Sequence, residues 1–176
     1  MKRTPLKRKS TLKRSTSPKT APGRAKKGKK TQKDMWNEYG LEKPSKPRYS
    51  GLAGILWYVT SQYVRKEEFI KYGGRCVDNC GWVAQAWNED TDCGHFRPAK
   101  SLATRFLREN LALQRKHCNS PRGGNGRQYD FGIEIDKRYG LGTAERLTEL
   151  SKTTSKPFSK EWYHQEILRI QALLQE

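Results

Sequence analysis

Two short runs of strand-forming residues, Thr91 to Pro98 and Leu111 to Arg115, constrain this chain most. They predict the two arms of a hairpin. The loop between them is long and should carry a short helix from Ser101 to Arg108. Residues able to do chemistry sit along this stretch at defined places. Asp92 and His95 lie on the first arm, Asn110 precedes the second arm, and Cys118-Asn119 follow it, ahead of the glycine-rich turn Gly123-Gly124-Asn125-Gly126.

The surrounding sequence supplies helices, so the expected class is α+β. From Leu52 to Tyr72 the residues Leu52, Ile55, Leu56, Val59, Tyr63, Phe69 and Ile70 recur mostly at threes and fours, and Gly73-Gly74 is a stop. Trp82 to Trp87 reads as a short strand-like run before the acidic turn Asn88-Glu89-Asp90. Asn125-Gly126-Arg127-Gln128 resembles a capping box, with Asn125 as N-cap, for a helix reaching about Tyr139 and ended by Gly140 and Gly142. Thr143 to Ser151 predicts another short helix. Ser159 can cap a last one, whose Tyr163, Ile167, Ile170 and Leu174 form an apolar stripe suited to core packing or a partner surface. The expected organisation is a basic tail (1–33), an irregular linker (34–50), the main domain (51–150) and a C-terminal helical extension (151–176).

A chain of 176 residues suits one modest domain with a tail. The formal net charge is +18, and it is unevenly spread. Met1 to Lys33 holds fourteen Lys or Arg and no acid, leaving 22 basic residues against 18 acids in the rest. Such a segment should be disordered alone and bind a polyanion, with nucleic acid the expected partner. No apolar run is long enough for a membrane span, and the basic N-terminus lacks a signal peptide's apolar region, so a soluble intracellular protein is expected. Cys76, Cys80, Cys93 and Cys118 should then be reduced, serving as metal ligands or small buried hydrophobes. Cys76 and Cys80 are close enough to grip one metal from one side, as half of a site.

Phosphodiester hydrolysis needs a base for water, a cation for the charge growing on phosphate, and stabilisation of the departing oxygen. His95 is the candidate base. Asn119 offers an amide oxygen to Mg²⁺ or Mn²⁺, and Asp92 is the second candidate ligand or, alternatively, a turn cap beside Thr91. Asn110 is expected to hold the loop by backbone hydrogen bonds so that His95 is positioned. Arg105 and Arg108 are candidates to meet DNA phosphates, or else form a solvated face.

Taken together, Cys76 … Cys80, Asp92-Cys93-Gly94-His95-Phe96, Ala103-Thr104-Arg105-Phe106, Glu109-Asn110, Gln114, Cys118-Asn119, Gly124-Asn125 and Lys137-Arg138-Tyr139-Gly140 resemble the NinG (Rap) recombination-protein family of lambdoid phages, over about Leu56 to Leu150. The resemblance implies a small ββα-metal, HNH-type (His-Me finger) core. It also implies an endonuclease acting on branched recombination intermediates such as Holliday junctions and D-loops, in the cytoplasm of a phage-infected or prophage-carrying bacterium. A junction-resolving enzyme needs two active sites, which implies a homodimer. The family's usual Gln-Cys-x-x-Cys-Asn gives a four-cysteine zinc site, but here the sequence is Gln114-Arg115-Lys116-His117-Cys118-Asn119, with Arg115 where a thiolate is expected. Cys76, Cys80 and Cys118 would then supply three ligands, and His117, Cys93 or water the fourth. Arg115 and Lys116 become further candidates for binding DNA. Two rival readings are a non-catalytic zinc-ribbon DNA-binding protein and a sequence-specific HNH homing or restriction nuclease.

Overall fold

A computed structural model describes residues 30–120 and 127–176. Most of the expected tail, and the expected Asn125 cap, lie outside the described residues. Residues 31–176 pack as one unit. Its helices among the described residues are α1 (Gln32–Asn37), α2 (Gly51–Tyr72), α3 (Lys116–Asn119), α4 (Gln128–Tyr139), α5 (Thr143–Lys152) and α6 (Lys160–Gln175). The strands β1 (Thr91–His95) and β2 (Leu111–Arg115) pair antiparallel, with Thr91 opposite Arg115 and His95 opposite Leu111.

α2 is the spine. Ile55, Leu56 and Val59 pack with Trp36 of α1 and with Ile167 and Ile170 of α6. Its Trp57 and Val64 meet Cys93 of β1 and Leu111 of β2. Beyond the hairpin, Ala112 joins Phe96, Val77, Phe131 and Ile135 of α4, and Leu147 of α5. The hairpin is thus covered on both faces, and strand alternation sends Cys93 towards α2 and Ala112 towards α4 and α5. Gly73, at φ 63°, ends α2 in the left-handed region that glycine enters without steric cost. No helix among the described residues is long and apolar enough to cross a membrane.

Several local expectations are corrected. Residues 34–50 are not wholly irregular, because Thr31 and Asp34 form a reciprocal capping box that starts α1, and Trp36 is buried in the core. Trp82 to Trp87 is no strand; Val83 makes only an isolated bridge to Arg75. No helix spans Ser101 to Arg108. The backbone there makes turns: the Arg105 N–H reaches the Ser101 carbonyl at 3.0 Å, while the Thr104 carbonyl, which a helix would give to the Arg108 N–H, accepts from the Leu107 N–H at 3.2 Å and from Asn110 Nδ2 at 3.0 Å. A single 3₁₀ turn, Arg108–Asn110, forms instead. α4 begins at Gln128 behind Arg127, whose φ is 41° and whose side chain makes no capping bond. α6 starts as expected, with Ser159 Oγ accepting from the Trp162 N–H at 3.1 Å.

Candidate functional site

His95 ends β1. Its ring stacks on Trp57 of α2, with centroids 4.6 Å apart and planes 19° from parallel. Nε2 lies 3.2 Å from the Arg105 carbonyl, which can only accept, so Nε2 carries the hydrogen and Nδ1 keeps its lone pair. Burial, and next the positive charge of Arg48, hold the imidazole pKa down at about 3. His95 is therefore neutral over the ordinary pH range, and the charges acting on it are cationic.

The loop that supplies the Arg105 carbonyl is tied by Asn110, which is fully buried. Asn110 Oδ1 accepts from the Arg97 N–H at 2.7 Å, while Nδ2 donates to the carbonyls of Arg97 at 3.2 Å and Thr104 at 3.0 Å. These bonds close the loop against the end of β1. Asn110 thus has the loop-holding geometry expected of it, and its influence on His95 runs through the Arg105 carbonyl.

Arg105 donates through Nε to the Ala99 carbonyl at 2.6 Å, and its guanidinium carbon lies 4.7 Å from the Tyr49 ring centroid. Arg48, which no sequence motif singled out, lies with its guanidinium 5.1 Å from the centre of Trp57, on whose ring His95 stacks. The segment carrying Arg48 and Tyr49 leads into α2 and folds against its first turn at Gly54. The Tyr49 carbonyl oxygen is 2.2 Å from where a Cβ on Gly54 would sit, so only glycine admits this approach. Gly54 within an otherwise apolar helical run was the available signal.

Asp92 and Asn119 come together. Asn119 Nδ2 donates to Asp92 Oδ2 at 3.0 Å, joining β1 to α3. No hydrogen bond or ion pair connects either of them to His95 among the described residues. Alternation along β1 turns Asp92 to the face opposite His95.

Cys76, Cys80 and Cys118 form a second cluster, with sulfurs all within 4.8 Å of one another, and could hold a metal ion. Cys76 Sγ accepts the Arg115 backbone N–H at 3.2 Å, and the Asp78 N–H also points to it. Burial pushes the Cys76 thiol up and the Cys118 thiol to about 11, so without an ion both stay protonated. His117 is exposed and lies outside the cluster, and Cys93 faces Trp57, where burial raises its thiol to about 12. Neither expected fourth cysteine or histidine ligand is in place.

The candidate phosphate-binding residues divide. Arg108 is engaged internally: Nε pairs with Glu67 at 2.6 Å, Nη2 with Glu68 at 2.7 Å, and Nη1 donates to the Leu111 carbonyl at 2.7 Å. That corrects its assignment to DNA. Arg115 pairs with Asp90 at 3.1 Å and lies over Trp82, while the Lys116 side chain is exposed.

No family model matches the chain, and no curated protein or solved structure was found to match it.

Proposed function

We propose that this chain is a metal-dependent DNA endonuclease that hydrolyses phosphodiesters in branched recombination intermediates, Holliday junctions and D-loops. The observation that carries the reading is the His95 site. A neutral imidazole has its Nε2 hydrogen committed to a carbonyl, its Nδ1 lone pair left over, and two guanidiniums, Arg48 and Arg105, acting on it. A base in cationic surroundings suits an anionic substrate. Arg48 and Arg105 draw the phosphodiester in, its negative charge offsets theirs and so raises the basicity of the imidazole, and His95 Nδ1 then takes the proton from the attacking water. Asn110 keeps the loop, and hence the Arg105 carbonyl, in place.

Asp92 and Asn119 bring a carboxylate and an amide side by side, the hard oxygen donors that Mg²⁺ or Mn²⁺ prefers. Such a cation, when bound, neutralises charge on the phosphate and the departing oxygen. Cys76, Cys80 and Cys118 hold a structural zinc in this reading, away from the chemistry. The branched substrate and the setting in phage recombination come from the resemblance to the NinG family, and DNA as partner from the basic tail.

The test is cleavage of an end-labelled four-way junction beside a matched linear duplex, with Mg²⁺ or Mn²⁺ and then with EDTA. Metal-dependent cutting of the junction, lost in His95→Ala while binding persists, is the expected outcome. One observation favours a second reading, a non-catalytic metal-stabilised DNA-binding protein: β1 places Asp92 and His95 on opposite faces. Salt-sensitive junction binding with no cutting under either metal would select it.

A further inference from the structure

We propose that Asp78 is the fourth ligand of the metal held by Cys76, Cys80 and Cys118, closing a site of three thiolates and one carboxylate. The inference rests on reading the three thiols as a metal site and is independent of the nuclease reading.

Structural zinc sites close at four ligands, and the sulfur cluster supplies three. Asp78 stands midway between Cys76 and Cys80 on a turn held at both ends. The Val77 N–H donates to the Leu113 carbonyl at 3.0 Å, and Asn79, at φ 51°, folds the chain back with its N–H on the Cys76 carbonyl at 3.2 Å. That turn puts the Asp78 side chain inside, fully shielded from solvent. One carboxylate oxygen, Oδ1, accepts from Gln114 Nε2 at 2.9 Å. The other, Oδ2, is buried without a hydrogen bond, and the charge of Arg127 acts on the carboxylate without forming an ion pair with it among the described residues.

A buried carboxylate so placed is costly to keep charged, typically by several kcal/mol, unless something compensates it. Its neighbours are the Cys76 and Cys118 thiols. Without an ion their S–H groups act on the carboxylate as donors; a divalent ion that takes the place of the thiol protons supplies the cation that all four groups then need. Zinc accepts both donor types, and the Gln114 amide then acts as the outer partner that orients a ligating carboxylate. Gln114 is itself tightly placed: its Oε1 lies 2.2 Å from where a Cβ on Gly94 would sit, so the glycine makes room for the amide on its way to Asp78. The Asp78 carboxylate stands outside the group that the three sulfurs form within 4.8 Å of one another, so to reach a common ion it turns on its side-chain torsions; unlike exposed His117 it is buried, on the turn between two of the ligands.

The test is metal binding by the full chain, prepared metal-free under reducing conditions. Zn²⁺ is titrated against a chromophoric chelator, and Co²⁺ is followed by its thiolate charge-transfer absorption. Wild type should take one equivalent, and Asp78→Asn should bind zinc more than about a hundredfold more weakly, beyond the usual effect of losing an outer partner. Asp78→Cys should keep tight binding and raise the charge-transfer intensity by about a third, as a fourth thiolate joins three. Equal zinc affinity in wild type and Asp78→Asn overturns the assignment of Asp78 alone. If Asp78→Asn fails to fold, unchanged cobalt intensity in Asp78→Cys overturns it. A wild-type chain that takes up neither ion overturns this inference and the three-thiol site together.

Discussion

His95 shows how one side chain acquires its properties from the groups around it. Imidazole in water titrates near neutrality, but under Trp57 and beside the Arg105 carbonyl, burial leaves its pKa at about 3. The folded pKa lies below the unfolded one. The stability this contributes is complete above about pH 6.5 and falls away as the pH drops towards 3, because only the unfolded chain takes up the proton. Between pH 6 and 4, urea unfolding of wild type should therefore lose on the order of 1.4 kcal/mol per pH unit more than His95→Asn. Parallel curves for the two proteins would refute the buried neutral imidazole. The thiols stay protonated across this window and the carboxylates are the same in both proteins, so the difference isolates His95. At this scale the sequence was informative about identity and silent about surroundings. It offered His95, Asn110 and the three clustered cysteines, but Arg48 and Asp78 acquire meaning only where α2 and β2 pass them.

Among the elements, α2 determines where the hairpin sits, and one carboxylate does much of the fastening. Glu68, 1% exposed, pairs with Arg108 at 2.7 Å and with Arg138 of α4, and accepts the Leu113 N–H of β2 at 3.4 Å. Arg138 lies in addition over the Tyr72 ring, 4.0 Å from its centre. Removing the carboxylate leaves buried guanidinium charge uncompensated, so Glu68→Ala should lower unfolding stability by about 3–5 kcal/mol. A loss under about 1 kcal/mol in denaturant unfolding would show that α2, β2 and α4 are held by apolar packing alone. The same network removed Arg108 from the set of DNA-binding candidates. Helical spacing could not reveal this, because Glu67 and Glu68 lie some forty positions earlier in the chain. Caps and apolar periodicity did locate α2, α5 and α6. The expected helix over 101–108 gives way to turns in which the Thr104 carbonyl is shared by the Leu107 N–H and the buried Asn110 amide.

For the whole molecule, charge is divided between a basic leader and a body close to balance, 22 basic residues against 18 acids after Lys33. If the leader supplies the general attraction to DNA, deleting residues 1–29 should flatten the dependence of log affinity on log salt by several units, at about 0.9 for each phosphate the shortened chain no longer neutralises. Anisotropy titrations from 50 to about 200 mM salt measure it; an unchanged slope would assign DNA binding to the body. The stripe on α6 is core, since Ile167 and Ile170 are buried against Ile55, Leu56 and Val59 of α2, so that face is not available to a second copy. By itself the sequence determined the α+β class, the hairpin, the long helices and the residue types available for chemistry, because these follow from local periodicity, capping and composition. Only the tertiary structure decided which of those residues meet. Asp92 came to Asn119 but not to His95, Cys93 left the other thiols for Trp57, and Arg108 turned inward to Glu68. The physical reason is that strand alternation and burial assign each side chain to a face, and the partners on that face come from distant parts of the chain.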